Sequence, residues 1–127
     1  MRDYKRDHPR IKKSLEVEVI TPGNKTLFAT TYDFSKRGVQ ILCDAITVRD
    51  IFGGPSLSVP AKLPTVILKL RLNHPGRETE QIEAECRAVF SRRVSEQEYR
   101  IGLLIHSLSE SSRKTFDSYI EECFDRN

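Results

Sequence analysis

Cysteine is scarce in this 127-residue sequence, and long apolar runs are absent. Cys43, Cys86 and Cys123 are about 40 residues apart, a spacing that suits neither a disulfide framework nor a zinc site. We expect all three to be reduced and mostly buried. No apolar run approaches the ~18 residues that span a bilayer, and no apolar segment of a secretory signal follows the charged start. These absences favour a globular, cytoplasmic protein.

Catalytic and metal-binding motifs are also missing from the sequence. There is no nucleophile elbow, phosphate loop or paired-carboxylate motif, which argues against an enzyme. His8, His74 and His106 have no metal-ligand spacing, so we expect ordinary surface or boundary histidines. The sequence therefore predicts a binding module with no metal and no cofactor.

Positive charge is concentrated at the N-terminus. Residues 1–13 carry six basic and two acidic side chains, whereas the net charge of the whole chain is only +3. A short basic arm before a nearly neutral body suits one small anion, because a long polyanion needs a broad basic face. We therefore divide the chain into a flexible basic arm, residues 1–13, and a single domain, residues 14–127.

Alternating apolar and polar residues predict strands along most of this domain. The six segments are residues 14–19, 26–32, 39–43, 66–72, 82–90 and 99–105. In the fifth segment the even positions from Ile82 to Phe90 are apolar and are expected to face inward. Six antiparallel strands of this length close most simply as a small barrel or as two packed sheets. We predict a mainly β protein with a six-stranded antiparallel β-barrel.

A change of period at the C-terminus predicts an amphipathic helix. Apolar residues there recur at helical spacing: Phe116, Tyr119, Ile120, Cys123 and Phe124. Ser107 and Glu110 have the spacing of a capping box for its start. The unusually long connection 44–64 is expected to hold either a short helix around residues 48–52 or an extra edge strand. It is also a candidate surface for contacting a partner.

Two motifs stand at a fixed separation near the N-terminus. Arg6-Asp7-His8-Pro9-Arg10 is followed, after 22 residues, by Asp33-Phe34-Ser35-Lys36-Arg37-Gly38. Arg2 and Arg6 have the same spacing as Arg6 and Arg10, but Arg10 lies immediately before Ile11 and the first strand. Together the RxxxR arm and the DxSxxG turn resemble the two signatures of the PilZ family, and the resemblance extends from Arg6 to about Phe124.

The resemblance implies a bacterial receptor domain that binds cyclic di-GMP on a split barrel with a C-terminal helix. The ligand would draw the arm onto the barrel and so signal to a downstream protein of unknown identity. The implied ligand-binding residues are Arg6, Arg10, Asp33, Ser35 and Gly38. Lys5 and Arg37 are possible secondary contacts, and a basic residue at position 5 goes with two ligands per domain in the family.

The chemistry of these residues agrees with such a ligand. The guanidinium forks of Arg6 and Arg10 can bond phosphates or the acceptor edge of guanine. Asp33 can accept from the donors on the Watson-Crick side of guanine. Ser35 supplies a hydroxyl, and Gly38 permits either a positive φ or a close backbone approach.

Other interpretations stay open at this stage. Asp33 and Ser35 could form an Asx-type turn with Gly38 in a left-handed conformation, and the arm could be a solvated terminus. The domain could be a PilZ-like interaction module without nucleotide binding. It could also be a small barrel for single-stranded nucleic acid, in which Phe28, Tyr32 and Tyr99 are the candidate stacking residues. In the leading interpretation there is no nucleic acid partner.

Overall fold

The computed structural model describes residues 9–53 and 63–125. Eight elements follow one another along these residues: β1 (Glu16–Ile20), β2 (Thr26–Phe34), β3 (Gly38–Cys43), α1 (Ala45–Phe52), β4 (Thr65–Leu72), β5 (Glu80–Arg93), β6 (Tyr99–Leu108) and α2 (Glu110–Asp125). The strands form a closed antiparallel barrel in the order β1-β2-β3-β6-β5-β4. The predicted fold, a six-stranded antiparallel barrel with a C-terminal helix, is confirmed.

Alternation along the strands decides which side chains enter the core. In β4, for example, Val66, Leu68 and Leu70 are buried while Arg71 is exposed. The barrel interior is filled by branched aliphatic side chains, which fit the pleated surface. Cys86 and Cys123 are buried, Cys43 is partly buried and all three are free thiols, as expected. Burial raises the pKa of Cys43 and of Cys86 to about 12, because a thiolate is poorly solvated there.

Helix α2 packs its apolar stripe against the barrel. Phe116 and Tyr119 are buried, and their rings lie 6.0 and 6.2 Å from the ring of Phe34 at the end of β2. The predicted capping box at Ser107 is wrong, because Ser107 still belongs to β6, where it pairs with Glu85. The helix is capped instead by Ser109, whose Oγ accepts from the backbone N–H of Ser112 at 3.1 Å.

The connection between β3 and β4 begins with a helix, the first of the two predicted alternatives. Asp44 caps α1 by accepting from the backbone N–H of Thr47 at 2.9 Å. Gly53 ends the helix with a φ of 88°, a conformation that glycine adopts without steric cost. Residues 54–62, the rest of the long connection, lie outside the described part of the chain.

Two sequence expectations about side-chain exposure are wrong. Phe90 does not face the core: a register shift between Ala88 and Phe90 in the β5–β6 ladder leaves its side chain 43% exposed, because a bulge re-aims the following side chains. The expectation of a surface or boundary histidine is wrong for His74, since its side chain is only 4% exposed and bonds Glu80 Oε1 at 2.7 Å. No helix within the described residues is long and apolar enough to cross a membrane.

Candidate functional site

The DxSxxG sequence forms the connection between β2 and β3. Asp33 and Phe34 are the last two residues of β2, and Gly38 is the first of β3. Phe34 points into the core, fully buried, so the alternation of the strand turns Asp33 to the outer surface. The backbone N–H of Ser35 donates to the carbonyl of Gly38 at 2.8 Å, which closes a tight turn. The turn is thus fixed to the core through Phe34.

Arg10 is held beside this turn by the residue that follows it. Ile11 exchanges two backbone hydrogen bonds with Phe34, at 2.8 and 3.0 Å, and its side chain is buried in the core. Arg10 Nη2 then donates to Asp33 Oδ1 at 2.9 Å, and its Nη1 to Ser35 Oγ at 3.4 Å. The structure therefore brings together Arg10, Asp33 and Ser35, which are far apart in the sequence.

Asp33 has a second partner that the sequence reasoning missed. Gln40, opposite Asp33 on β3, donates from Nε2 to Oδ1 at 3.0 Å and to Oδ2 at 3.3 Å. The carboxylate side chain is 13% exposed and has about four lone-pair positions. Asp33 therefore accepts from two side chains and keeps acceptor capacity on Oδ2. Its partners are side chains outside the turn, so Asp33 does not form the Asx-type turn, whereas Ser35 forms the equivalent hydroxyl turn, its Oγ accepting from the backbone N–H of Arg37 at 3.2 Å.

Gly38 allows a close approach between two strands. It does not have a positive φ, unlike Gly53 and Gly76, so the left-handed alternative is wrong. A Cβ at this position would lie 3.0 Å from the carbonyl oxygen of Leu103 on β6. Of the two possibilities that the sequence left open, the structure has the close backbone approach.

An open pocket of about 270 Å³ lies on the outer face of the barrel next to this turn. Its lining consists of Arg10, Ser35, Arg37, Gly38, Val39, Gln40, Val89, Phe90, Gly102, Leu103 and Leu104. Among the described residues of this lining, the charged ones are Arg10 and Arg37, both cationic. The pocket thus has a basic, hydrogen-bonding side and an apolar side, which suits an anion with a flat apolar part.

Phe90 forms the apolar side with Val89 and Leu104. Its ring lies over Gly102, its partner on β6, so closely that a side chain at position 102 would overlap the ring. The three apolar residues are 40–50% exposed. This surface could not be predicted from the local sequence pattern, because the bulge that turns Phe90 outward depends on pairing between β5 and β6.

Not every residue predicted for the site can be located. Arg6 and Lys5 lie outside the described residues. Arg37 is exposed, lines the pocket, and is fixed through its carbonyl oxygen, which accepts from the backbone N–H of Ile105 at 2.9 Å. In the described residues no cluster of His, Cys, Asp or Glu could hold a metal ion.

The aromatic residues considered for nucleic acid binding lie apart from the pocket. Phe28 is 73% exposed on β2 and does not line it. Two cations lie over the ring of Tyr32, Lys12 Nζ at 4.9 Å and the Arg100 guanidinium at 4.6 Å from its centre. A hydrogen bond and the charge of Lys12 lower the pKa of Tyr32. Tyr32 is therefore already stacked within the protein.

Solved structures with the same fold come from several bacteria. The Bacillus subtilis inhibitor of motility (MotI/DgrA) matches with a TM-score of 0.69 at 16% identity, over 99% of this chain and 52% of that one. The PilZ domain of Escherichia coli YcgR, solved with c-di-GMP, gives 0.58 at 14% identity, over 94% and 91%. Borreliella burgdorferi PlzA in complex with c-di-GMP gives 0.56 at 17% identity, over 94% and 55%.

At these identities the likeness concerns the fold alone, and the chain spans about half the length of the B. subtilis protein. No curated protein sequence matches it significantly. The family model described as PilZ domain, however, matches residues 4–122, which include both motifs and all six strands. The chain belongs to the PilZ domain family.

Proposed function

We propose that this protein is a receptor for cyclic di-GMP and binds it on the outer face of the barrel. The observation that carries the proposal is the convergence of Arg10, Asp33 and Ser35 at the rim of a pocket whose far side is apolar. Two structural neighbours, YcgR and PlzA, were solved with this ligand. In the proposal the protein is a cytoplasmic binding module and performs no catalysis.

Arg10 and Arg37 would bind the phosphodiester or the acceptor edge of a guanine. The Arg10 side chain is 39% exposed and uses two of its nitrogens within the protein. A guanidinium has five N–H donors, so donors remain for the ligand while Asp33 keeps the fork oriented. Pre-oriented donors lose less entropy on binding, which favours a tight complex.

Asp33 would select guanine over adenine. Guanine presents two N–H groups on its Watson-Crick side, one on the ring and one on the exocyclic amino group. A carboxylate can accept a hydrogen bond from each of them. Among the described residues, Asp33 Oδ2 is held only by the longer of the two Gln40 contacts, at 3.3 Å. Gln40 can therefore give up this contact to the base without leaving Asp33 unpaired, since Arg10 still donates to Oδ1.

Phe90 would receive the flat face of the ligand. Adjacent strands lie about 4.8 Å apart, so the surface from β2 through β3 and β6 to β5 is about 14 Å wide. Asp33 on β2 and Phe90 on β5 lie at the two edges of this surface. Gln40 on β3 and Gly102 on β6 lie between them in the same cross-strand row. A cyclic dinucleotide can thus contact the polar and the apolar side at once.

The arm would complete the site. Because Ile11 already fixes the chain beside Phe34, ligand-dependent ordering is proposed for the residues before Arg10. Arg6 would close over the ligand, and Lys5 would accompany a second ligand molecule. The changed surface would signal to a downstream protein, and the connection 44–64 is a candidate contact.

Isothermal titration calorimetry tests the proposal. Cyclic di-GMP should bind the native protein, whereas Arg10→Ala should weaken binding by about two orders of magnitude, since a truncated charged contact costs roughly 2–5 kcal/mol. Arg71→Ala is the matched control, because Arg71 is exposed on β4 and does not line the pocket. Absence of heat with native protein would contradict the proposal and favour a PilZ-like interaction module without nucleotide binding.

A further inference from the structure

Helix α2 contacts the DxSxxG turn directly through Arg113. Its Nη1 donates to the backbone carbonyl oxygen of Lys36 at 2.7 Å and to Asp117 Oδ1 at 3.0 Å. Asp117 lies one helical turn further along α2, so it steadies the guanidinium. The bond to Lys36 joins residues 77 positions apart in the sequence and is partly buried.

The carbonyl that Arg113 binds belongs to the same peptide unit as the N–H of Arg37. A trans peptide is planar, with its C=O and N–H pointing in opposite directions. On the opposite side of this unit, the Arg37 N–H donates to Ser35 Oγ at 3.2 Å. Arg113 and Ser35 thus hold the same rigid group from its two ends.

The hydrogen bond from this peptide unit determines which further hydrogen bonds the Ser35 hydroxyl can make. A hydroxyl has two acceptor positions and one donor, and Ser35 Oγ accepts from the Arg37 N–H and, at longer range, from Arg10 Nη1. Its hydrogen has no acceptor among residues 9–53 and 63–125 and is therefore available for donation. Ser35 lines the pocket, so an acceptor oxygen there, such as that of a phosphate, is a suitable partner.

We propose that Arg113 is a positioning residue for the nucleotide site: by fixing the peptide between Lys36 and Arg37, it orients the Ser35 hydroxyl toward the ligand. The inference rests on the proposed function for its ligand but concerns a residue on a different element. A second tie between α2 and the turn, Lys36 Nζ to Glu121 at 3.3 Å, is exposed and is expected to contribute little.

The first test needs no ligand. Amide hydrogen exchange of Arg37, followed by NMR, should be about tenfold faster in Arg113→Met, because the peptide loses a charge-assisted hydrogen bond. Methionine keeps much of the length and apolar contact of the arginine but has no donor. Arg113→Lys should partly restore slow exchange, and Glu121→Gln should leave it unchanged. Equal exchange in native protein and Arg113→Met would overturn the proposal.

The second test is a double-mutant cycle with cyclic di-GMP, read by calorimetry. Arg113→Met should weaken binding about tenfold in the native background, the size of one charged hydrogen bond, and should have no further effect in Ser35→Ala. In Phe90→Ala the same tenfold loss should persist. Equal losses in the Ser35→Ala and native backgrounds would overturn the positioning role, since Arg113 would then act by another route.

The two tests separate this inference from the proposed function. If native protein fails to bind cyclic di-GMP, the proposed function fails, while the exchange of the Arg37 amide still decides whether Arg113 fixes the turn. Thermal unfolding of each variant accompanies both tests. A general loss of structure in Arg113→Met would speed exchange throughout the barrel, whereas the proposal expects the change at residues 35–38 only.

Discussion

The ring of Phe90 covers the backbone of Gly102 on the neighbouring strand, and the two residues form one cross-strand pair. Glycine has no side chain to compete for this space, so the ring lies over the Gly102 backbone and lines the pocket. An aromatic side chain that is held in this way loses little entropy when a base stacks on it.

Phe90→Ala should therefore weaken binding of cyclic di-GMP by roughly tenfold or more, since stacking on an aromatic residue is worth about 1–3 kcal/mol per base. Calorimetry measures the affinity. Phe28→Ala is the matched control, because Phe28 is more exposed but lies outside the pocket. Equal effects of the two substitutions would contradict a stacking role.

Arg10→Lys should bind much more weakly than the native protein, although the charge is kept. Lysine cannot reproduce the planar fork that contacts Asp33 and Ser35 together. We expect a loss of about two orders of magnitude, close to that of Arg10→Ala. Calorimetry at two salt concentrations measures the affinities. A site that needs only a positive charge would bind cyclic di-GMP almost as tightly in Arg10→Lys as in the native protein, and that result would contradict the role of the planar fork.

Asp33→Asn should reduce selectivity for guanine. The amide has a single acceptor oxygen and presents N–H donors where the ligand also has donors. Affinity for cyclic di-GMP should fall at least about tenfold, while weak binding of cyclic di-AMP should change little, so that their ratio narrows. Parallel titrations measure this ratio.

The Arg10–Asp33 ion pair itself should contribute under about 1 kcal/mol to the free energy of unfolding. Urea unfolding of Asp33→Asn and native protein checks this value.

Gly38→Ala should destabilise the barrel by about 1–3 kcal/mol, because the new methyl group would crowd the carbonyl oxygen of Leu103. Gly23→Ala is the control, since a Cβ at position 23 would be in ordinary contact, 3.9 Å from its nearest neighbour. Urea unfolding reports both free energies. A neutral Gly38→Ala would show that β3 and β6 separate easily at this point.

Alkaline pH should destabilise the protein through its buried thiols. The pKa of Cys86 is raised from 9.0 to about 12, so its stabilising contribution is complete below pH 9 and is lost as the pH rises toward 12. Between pH 8 and 10.5 the free energy of unfolding should fall by about 2 kcal/mol more in native protein than in Cys86→Ala. Urea titrations at both pH values give these slopes, and parallel slopes would contradict the burial effect.

The local pattern of the sequence predicted most of the strands, because alternation reports directly which side chains a half-buried strand turns inward. The local pattern gave wrong predictions of side-chain exposure and of strand ends where these depend on how two strands pair. The bulge that exposes Phe90 and the continuation of β6 through Ser107 both follow from the β5–β6 ladder, which no local window contains. The burial of His74 likewise depends on a partner, Glu80, across a turn.

In the candidate site, too, the local sequence predicted some residues and missed those that only the fold brings together. The two motifs named Arg10, Asp33 and Ser35 from the sequence, since each motif is short and local. Gln40, Phe90 and Arg113 enter only through the fold: Gln40 through its register with β2, Phe90 through the bulge, and Arg113 through the packing of α2. Whether the residues of the two motifs bind a ligand stays a prediction.

If the arm closes over a bound ligand as proposed, the anchoring of Ile11 next to Arg10 makes that closure an intramolecular step. Four residues of extended chain reach at most about 14 Å, so the contact proposed for Arg6 would have to fall within this distance of the fixed Arg10. Within such a volume the effective concentration of one arginine relative to a bound ligand is millimolar or higher. Even a weak contact by Arg6 would therefore slow ligand release, and a substitution that detached Ile11 would shorten the residence time of the ligand although Ile11 itself does not line the pocket.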